Sequence, residues 1–272
     1  METNLRAAHF ATGKHNGIWN MAFDRLLMEL VRENKWQFVL RTYGWNPPCV
    51  SIGKLQSIKR EIDVERLIAD GYGAVRRPTG GRAVWHETEL TYSIVAATDN
   101  PMVSGSITEA LAKTSAPMIR AMNSLGLDVR VSTLEKHRTG GHRTAANPCF
   151  TSHGKWEIGT ADGRKLVGSA QARSRGVFLE HGSILFENDQ LKMLNYLPDE
   201  TSSAFRKILR RHLTEGIACV NELNPDIDIA DMENALHASF SETTGGNPAY
   251  LSYRELEGDR LRELECECRN NI

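Results

Sequence analysis

The chain has 272 residues, 33 Lys and Arg against 34 Asp and Glu, and a formal net charge of −1, enough length for one large domain or two small ones. Near-neutral charge gives no electrostatic reason to expect nucleic acid, no stretch approaches the ~18 apolar residues of a membrane span, and Met1-Glu2-Thr3-Asn4-Leu5-Arg6 lacks the basic-then-apolar order of a secretory signal. Five cysteines, at 49, 149, 219, 266 and 268, are odd in number and irregularly spaced, which fits reduced thiols in a cytoplasmic protein and not a disulfide framework.

Residues 18–33 place Trp19, Phe23, Leu26, Leu27 and Leu30 on one face, predicting a helix packed on a sheet. Strands follow at 37–43 and 49–52, separated by Pro47-Pro48. Asp63 can cap a short helix through about Ala69, with Gly71 just past its end. Residues 73–77 and 83–97 read as strands on either side of a Gly80-Gly81 turn. Ser106 and Glu109 form a capping-box pattern opening a helix through Leu125, which Pro117 is expected to kink. A short strand at 127–131 leads into 132–147, a Thr, Gly, His, Arg and Asn mixture read as a loop before Cys149. Asp162-Gly163 predicts a hairpin between 155–160 and 164–168, and 177–186 is a further strand. After Asn188 the pattern turns helical, at 203–223, 229–243 and 252–268. Strands mixed with helices in this order indicate α+β.

The residues with chemistry are few. Cys149 lies sixteen positions before Lys165, and a thiol beside an amine is a plausible acyl-transfer pair. A free thiol near its ordinary pKa is only about 3% ionised at pH 7, so a neighbouring cation would activate it. Taken alone, Cys149 also fits a small buried apolar residue, Lys165 a solvated hairpin lysine, and His86 a hydrogen-bonded structural histidine. His137, His142, Cys149 and His153 are zinc-competent, but their spacing matches no familiar zinc motif, and no metal is expected. No Walker loop occurs. Arg206, Lys207, Arg210 and Arg211 form either a docking strip for acidic proteins or an ordinary solvated helix face.

Several segments, in order, resemble the lipoate–protein ligase and octanoyltransferase family. They are Asn20-Met21-Ala22-Phe23-Asp24, Leu40-Arg41-Thr42-Tyr43-Gly44-Trp45, Ser51-Ile52-Gly53-Lys54-Leu55-Gln56, Arg76-Arg77-Pro78-Thr79-Gly80-Gly81-Arg82-Ala83-Val84-Trp85-His86, Pro148-Cys149-Phe150, Arg164-Lys165-Leu166-Val167-Gly168-Ser169-Ala170-Gln171 and His181-Gly182-Ser183-Ile184-Leu185. The cysteine-dependent octanoyltransferase branch is the nearest. The resemblance implies a biotin/lipoate protein ligase-like mixed sheet flanked by helices, with a catalytic domain at 1–190 and a helical C-terminal extension at 191–272 packed on it.

It further implies an acyltransferase of lipoate biosynthesis and protein lipoylation. Octanoate would pass from octanoyl-acyl carrier protein onto Cys149 as a thioester intermediate, then to a lysine of a lipoyl domain such as glycine cleavage H protein or a 2-oxoacid dehydrogenase E2. Cys149 and Lys165 would be catalytic, Arg77, Gly80, Gly81, His86 and Gly168 would bind the acyl substrate, and no cofactor is implied. The alternative is an ATP-dependent lipoate–protein ligase. Against it, Arg82 stands where such ligases carry a third glycine, and His86-Glu87-Thr88-Glu89-Leu90 departs from their His-Asp-x-Gly-Asn pattern. An octanoyl amidotransferase and a non-catalytic carrier-protein binder rank lower.

Overall fold

A six-stranded mixed sheet carries the molecule in the computed structural model, which describes residues 6–131, 158–245 and 249–271. The strands are β1 (Ala7–His15), β2 (Phe38–Trp45), β3 (Cys49–Ile52), β4 (Gly73–Arg76), β5 (Val84–His86), β6 (Glu89–Ala97), β7 (Val129–Val131), β8 (Ile158–Thr160), β9 (Val167–Ser174), β10 (Val177–Leu185) and β11 (Ala249–Tyr250). The helices are α1 (Gly17–Arg32), α2 (Ile58–Glu61), α3 (Val64–Ala69), α4 (Ile107–Ser124), α5 (Ser203–Glu215), α6 (Val220–Leu223), α7 (Ile229–Thr244) and α8 (Asp259–Arg269). The main sheet runs β11-β1-β2-β6-β10-β9, with β1 parallel to both neighbours and the rest antiparallel. A small sheet, β4-β3-β5, stands beside it, and β7 pairs with β8.

Side-chain alternation along β2 explains the layering. Phe38 and Leu40 pack with Met118 and Met122 of α4 and Leu236 and Phe240 of α7. Val39 and Tyr43 face the other way, onto Phe23 and Leu27 of α1 and Leu261 and Leu264 of α8. With helices on both faces, all eight residues of β2 are buried, so its polar members Arg41 and Thr42 need internal partners. This is the α+β architecture the sequence predicts. Local signals act as expected at Asp63, which accepts from the Arg66 amide, and at the Ser106–Glu109 capping box.

The structure departs from the sequence reading at four places in the strands and helices. Residues 7–15 form β1, which no alternation announces. The stretch 83–97 is two strands in different sheets, broken at Glu87-Thr88. The helix expected over 203–223 stops at Glu215 and resumes at Val220, because the intervening backbone pairs with Lys165. The Lys165 amide donates to Gly216 O at 2.9 Å, and the Ala218 amide donates to Lys165 O at 3.0 Å. Likewise 252–268 resolves into a 3-10 turn, Tyr253–Leu256, followed by α8.

Each face of the sheet holds a buried carboxylate. On the α4 side, Glu180 of β10 accepts from Tyr92 Oη at 3.1 Å and Thr114 Oγ1 at 2.9 Å. Burial pushes its carboxyl up to about 7, against the opposing pull of those hydroxyls. A carboxyl whose folded pKa lies above its unfolded value stabilises the fold fully below the unfolded value, and that contribution is lost as pH rises through the folded one. Urea unfolding should therefore show stability falling between the unfolded value of 4.5 and about 7, with Glu180→Gln flattening that slope. An identical slope in the variant would assign the dependence to other groups.

Candidate active site

The glycine turn between β4 and β5 is built by close backbone approach. Gly81 has φ 93°, a region L side chains avoid, and a Cβ at Gly53 would sit 2.2 Å from Gly81 O. The Lys54 amide donates to Thr79 O, lacing β3 to the turn. Arg77, buried at 5% exposure, braces the loop from within. Its Nε and Nη2 donate to Gly80 O at 3.1 and 3.0 Å, Nη2 also reaches Arg82 O at 2.6 Å, and Nη1 donates to Ser51 O and Oγ at 3.1 and 2.9 Å.

Two carboxylate–imidazole–hydroxyl chains flank this turn. In one, Glu89 Oε1 accepts from His86 Nδ1 at 2.8 Å, and His86 Nε2 meets Ser51 Oγ at 2.7 Å. Trp45 Nε1 and Ser183 Oγ also donate to Glu89 Oε1, and the Trp45 ring stacks on His86 at 4.1 Å. The Ser51 oxygen in turn accepts from Arg77 Nη1, so the chain runs from Glu89 to the arginine that braces the turn. In the other chain, Asp24 Oδ2 accepts from His181 Nδ1 at 3.3 Å, and His181 Nε2 meets Thr79 Oγ1 at 2.6 Å. Burial pushes the Asp24 carboxyl up, but Arg41 and His181 outweigh it and hold it below the usual range. Burial also drives His181 down despite Asp24, so its ring is neutral near pH 7.

Between these chains opens a narrow cleft with predominantly apolar walls of Met21, Tyr43, Trp45 and Val84 and the backbone of Gly168 and Gly182. It holds about 30 Å³, roughly two waters' worth. Glycine is required at its inner side, where a Cβ on Gly182 would lie 2.8 Å from the Tyr92 ring and 2.6 Å from Gly168 O.

Of the predicted site residues, Arg77, His86 and Gly168 line this cleft, and Gly80 and Gly81 form the turn that Arg77 braces. Lys165 sits two residues before β9, and its 1% exposure excludes the solvated-hairpin alternative. Cys149, with His137, His142 and His153, lies outside the described residues. Among the described cysteines, burial pushes the Cys49 and Cys268 thiols up and the Cys219 thiol up to about 12. Arg206 is held in place by carbonyl oxygens, its guanidinium donating to Leu194, Leu197, Pro198 and Thr201.

Residue reading missed Ser51, Thr79 and Glu89, whose partners lie 35, 102 and 3 positions away. Asn20 and Asp24 did leave a signal. They stand one helical turn apart, in line with buried Leu27 and Val31, and polar groups inside an apolar stripe need buried partners.

Comparison with known proteins bears on this geometry. The lipoyl protein ligase A/B catalytic domain family matches residues 16–241. The octanoyltransferase LipM of Moorella thermoacetica is 41% identical, covering 94% of this chain and 93% of its own. The Kyrpidia tusciae octanoyltransferase LipM is 39% identical, covering 90% of both chains. In fold, the chain is similar to a bi-partite lipoate protein ligase of Thermoplasma acidophilum, with a TM-score of 0.74 at 22% identity over 97% of this chain and 91% of that one.

The glycines make a paired prediction. Gly182→Ala should lower the unfolding free energy by about 1–3 kcal/mol, the usual cost of overpacking. Gly80→Ala, whose methyl meets nothing within 4 Å, should change it by no more than about 0.5 kcal/mol. Urea denaturation of both variants checks the contrast, and equal effects would contradict it.

Proposed function

The chain belongs to the lipoyl protein ligase A/B catalytic domain family, and we propose that it moves an octanoyl group from octanoyl-acyl carrier protein, through a Cys149 thioester, to a lysine of a lipoyl domain. It is an octanoyltransferase, an acyltransferase enzyme. The observation that carries the finer reading is the narrow apolar cleft, backed by glycines and flanked by two hydrogen-bonded imidazoles, which an unbranched acyl chain would enter end-on by parting the walls. Among the described residues no helix is long and apolar enough to cross a membrane, and a cytoplasmic location suits an enzyme acting on carrier and lipoyl proteins.

In the first step the Cys149 thiolate attacks the donor thioester carbonyl. The tetrahedral adduct collapses, and the donor thiolate leaves with a proton. In the second, a neutral lysine amine attacks the Cys149 thioester, loses a proton, and expels the thiolate. Both steps exchange acyl groups at an already activated carbonyl, so no nucleotide is needed. Lys165 would stabilise the thiolate and carry the proton. The other described thiols suit this work poorly. Cys49, Cys219 and Cys268 are buried with raised pKa values, and Cys266 is exposed on α8. On this reading the C-terminal helices belong to the same domain as the site, because the link between α5 and α6 fixes the Lys165 backbone.

Intact-mass analysis after exposure to octanoyl carrier protein should show one octanoyl adduct, absent in Cys149→Ala and released by hydroxylamine. An adduct on another cysteine rejects the assignment. Octanoylation of an apo lipoyl domain should proceed from octanoyl carrier protein alone and not from free octanoate with MgATP; the reverse pattern makes the protein a ligase. Separately, Lys165→Met, which keeps the buried stem, should slow transfer by roughly 10²-fold or more. Near-normal turnover would reduce Lys165 to a packing residue.

A further inference from the structure

Next to the acyl cleft, and sharing Met21 and Arg77 with it, lies a second, wider groove of about 650 Å³. Its lining carries seven cationic side chains against one carboxylate, Glu29, in a chain whose formal net charge is −1. The cations converge from separate elements: Arg25 and Arg32 from α1, Lys54 after β3, Arg76 at the end of β4, and Arg173 and Arg175 at the β9–β10 turn. Glu29 is engaged by Arg260 from outside the groove, and Arg25 is itself paired with Glu267. Arg76 and Arg173 direct their hydrogen bonds to carbonyl oxygens of Asn271, Gln56 and Val103. Neutral acceptors of that kind orient the guanidinium without cancelling its charge. Arg32, Lys54 and Arg175 are exposed at the rim.

A narrow apolar cleft beside a broad cationic groove, with Met21 and Arg77 lining both, suits a ligand with an alkyl chain at one end and an anion at the other. Guanidinium forks match phosphate oxygens in geometry as well as charge. We propose that the groove seats the phosphate of the donor's pantetheine arm while the acyl chain lies in the cleft. This rests on the octanoyltransferase reading. The acceptor's reacting group is an amine and brings no anion for this groove to seat, so the groove is a donor-side specificity element.

Two small donors that differ only in the phosphate, octanoyl-4′-phosphopantetheine and octanoyl-pantetheine, test it with an apo lipoyl domain as acceptor. The wild-type enzyme should prefer the phosphorylated donor by about tenfold or more in kcat/KM. The preference should shrink as salt shortens the ~8 Å screening length. In Arg32→Glu/Arg175→Glu, and in Lys54→Glu as an independent single variant, it should drop towards parity. Equal use of both donors by the wild type, or a preference that survives both variants, overturns the groove proposal alone. Transfer from neither donor rejects the octanoyltransferase reading and the groove with it. Octanoylation from free octanoate and MgATP that is lost in the charge reversals would make the groove a nucleotide site and overturn the proposal.

Discussion

The buried pair of Arg41 and Asp24 is the constraint on which the rest of the site depends. Both side chains have no solvent exposure, and Arg41 Nη1 lies 2.7 Å from Asp24 Oδ1. Desolvating two charges costs several kcal/mol per ion unless every remaining donor and acceptor is met. Here they are met from five elements. Arg41 Nη2 donates to Asn20 Oδ1 and Nη1 to Asn20 O, both on α1, while Nε donates to Thr12 of β1. Ser93 of β6 and Tyr43 of β2 donate to Asp24, and His181 of β10 completes its shell. The Tyr43 ring lies against the guanidinium at 3.8 Å. Helix α1 is therefore locked in register over the centre of the sheet, at the point where the sheet must reach the glycine turn.

From that lock the order propagates outwards through single hydrogen bonds. Asp24 fixes the His181 tautomer, and His181 holds Thr79, whose carbonyl is laced to Lys54. Glu89 does the same from the other side through His86 and Ser51 to Arg77. The small sheet is thereby fastened to the main one by side chains, since β5 and β6 belong to different sheets. A cleft whose walls come from two sheets can widen without breaking a backbone ladder, which reconciles its narrow resting size with a substrate several carbons long.

How legible this was depends on the range of each interaction. Asp63 and the Ser106–Glu109 box were readable because both partners of each bond lie within one turn. The glycine turn was readable because only glycine tolerates the φ of Gly81. Strand β1, with the sequence Ala-Ala-His-Phe-Ala-Thr-Gly-Lys-His, has no alternation to detect; parallel partners on both sides make it a strand, and those lie far away in sequence. The same blindness hid the break near Gly216. The α5 pattern continues in sequence, but the backbone beyond Glu215 is drawn off to pair with Lys165. Resemblance to a family supplied the site residues that local reading left open, yet it gave no role to Ser51 or Glu89, whose meaning appears only when β3, β5 and β6 meet.

Electrostatics then link the fold to the proposed chemistry. Each step needs a nucleophile in a protonation state that neutral water disfavours: an ionised thiol in the first, a neutral amine in the second. A positive field shifts both in the useful direction, because nearby cations favour the thiolate and disfavour the ammonium. The lysines and arginines around the groove carry charge of that sign beside the cleft, whereas Lys165 lies beyond the other end of β9, ten residues before Arg175. The buried carboxylates do not oppose it. Asp24 is paired with Arg41, and Glu89 Oε1 is held by four donors, His86, Trp45, Thr91 and Ser183. Acid inside the site is used for orientation, and the cations gather outside it, along the groove.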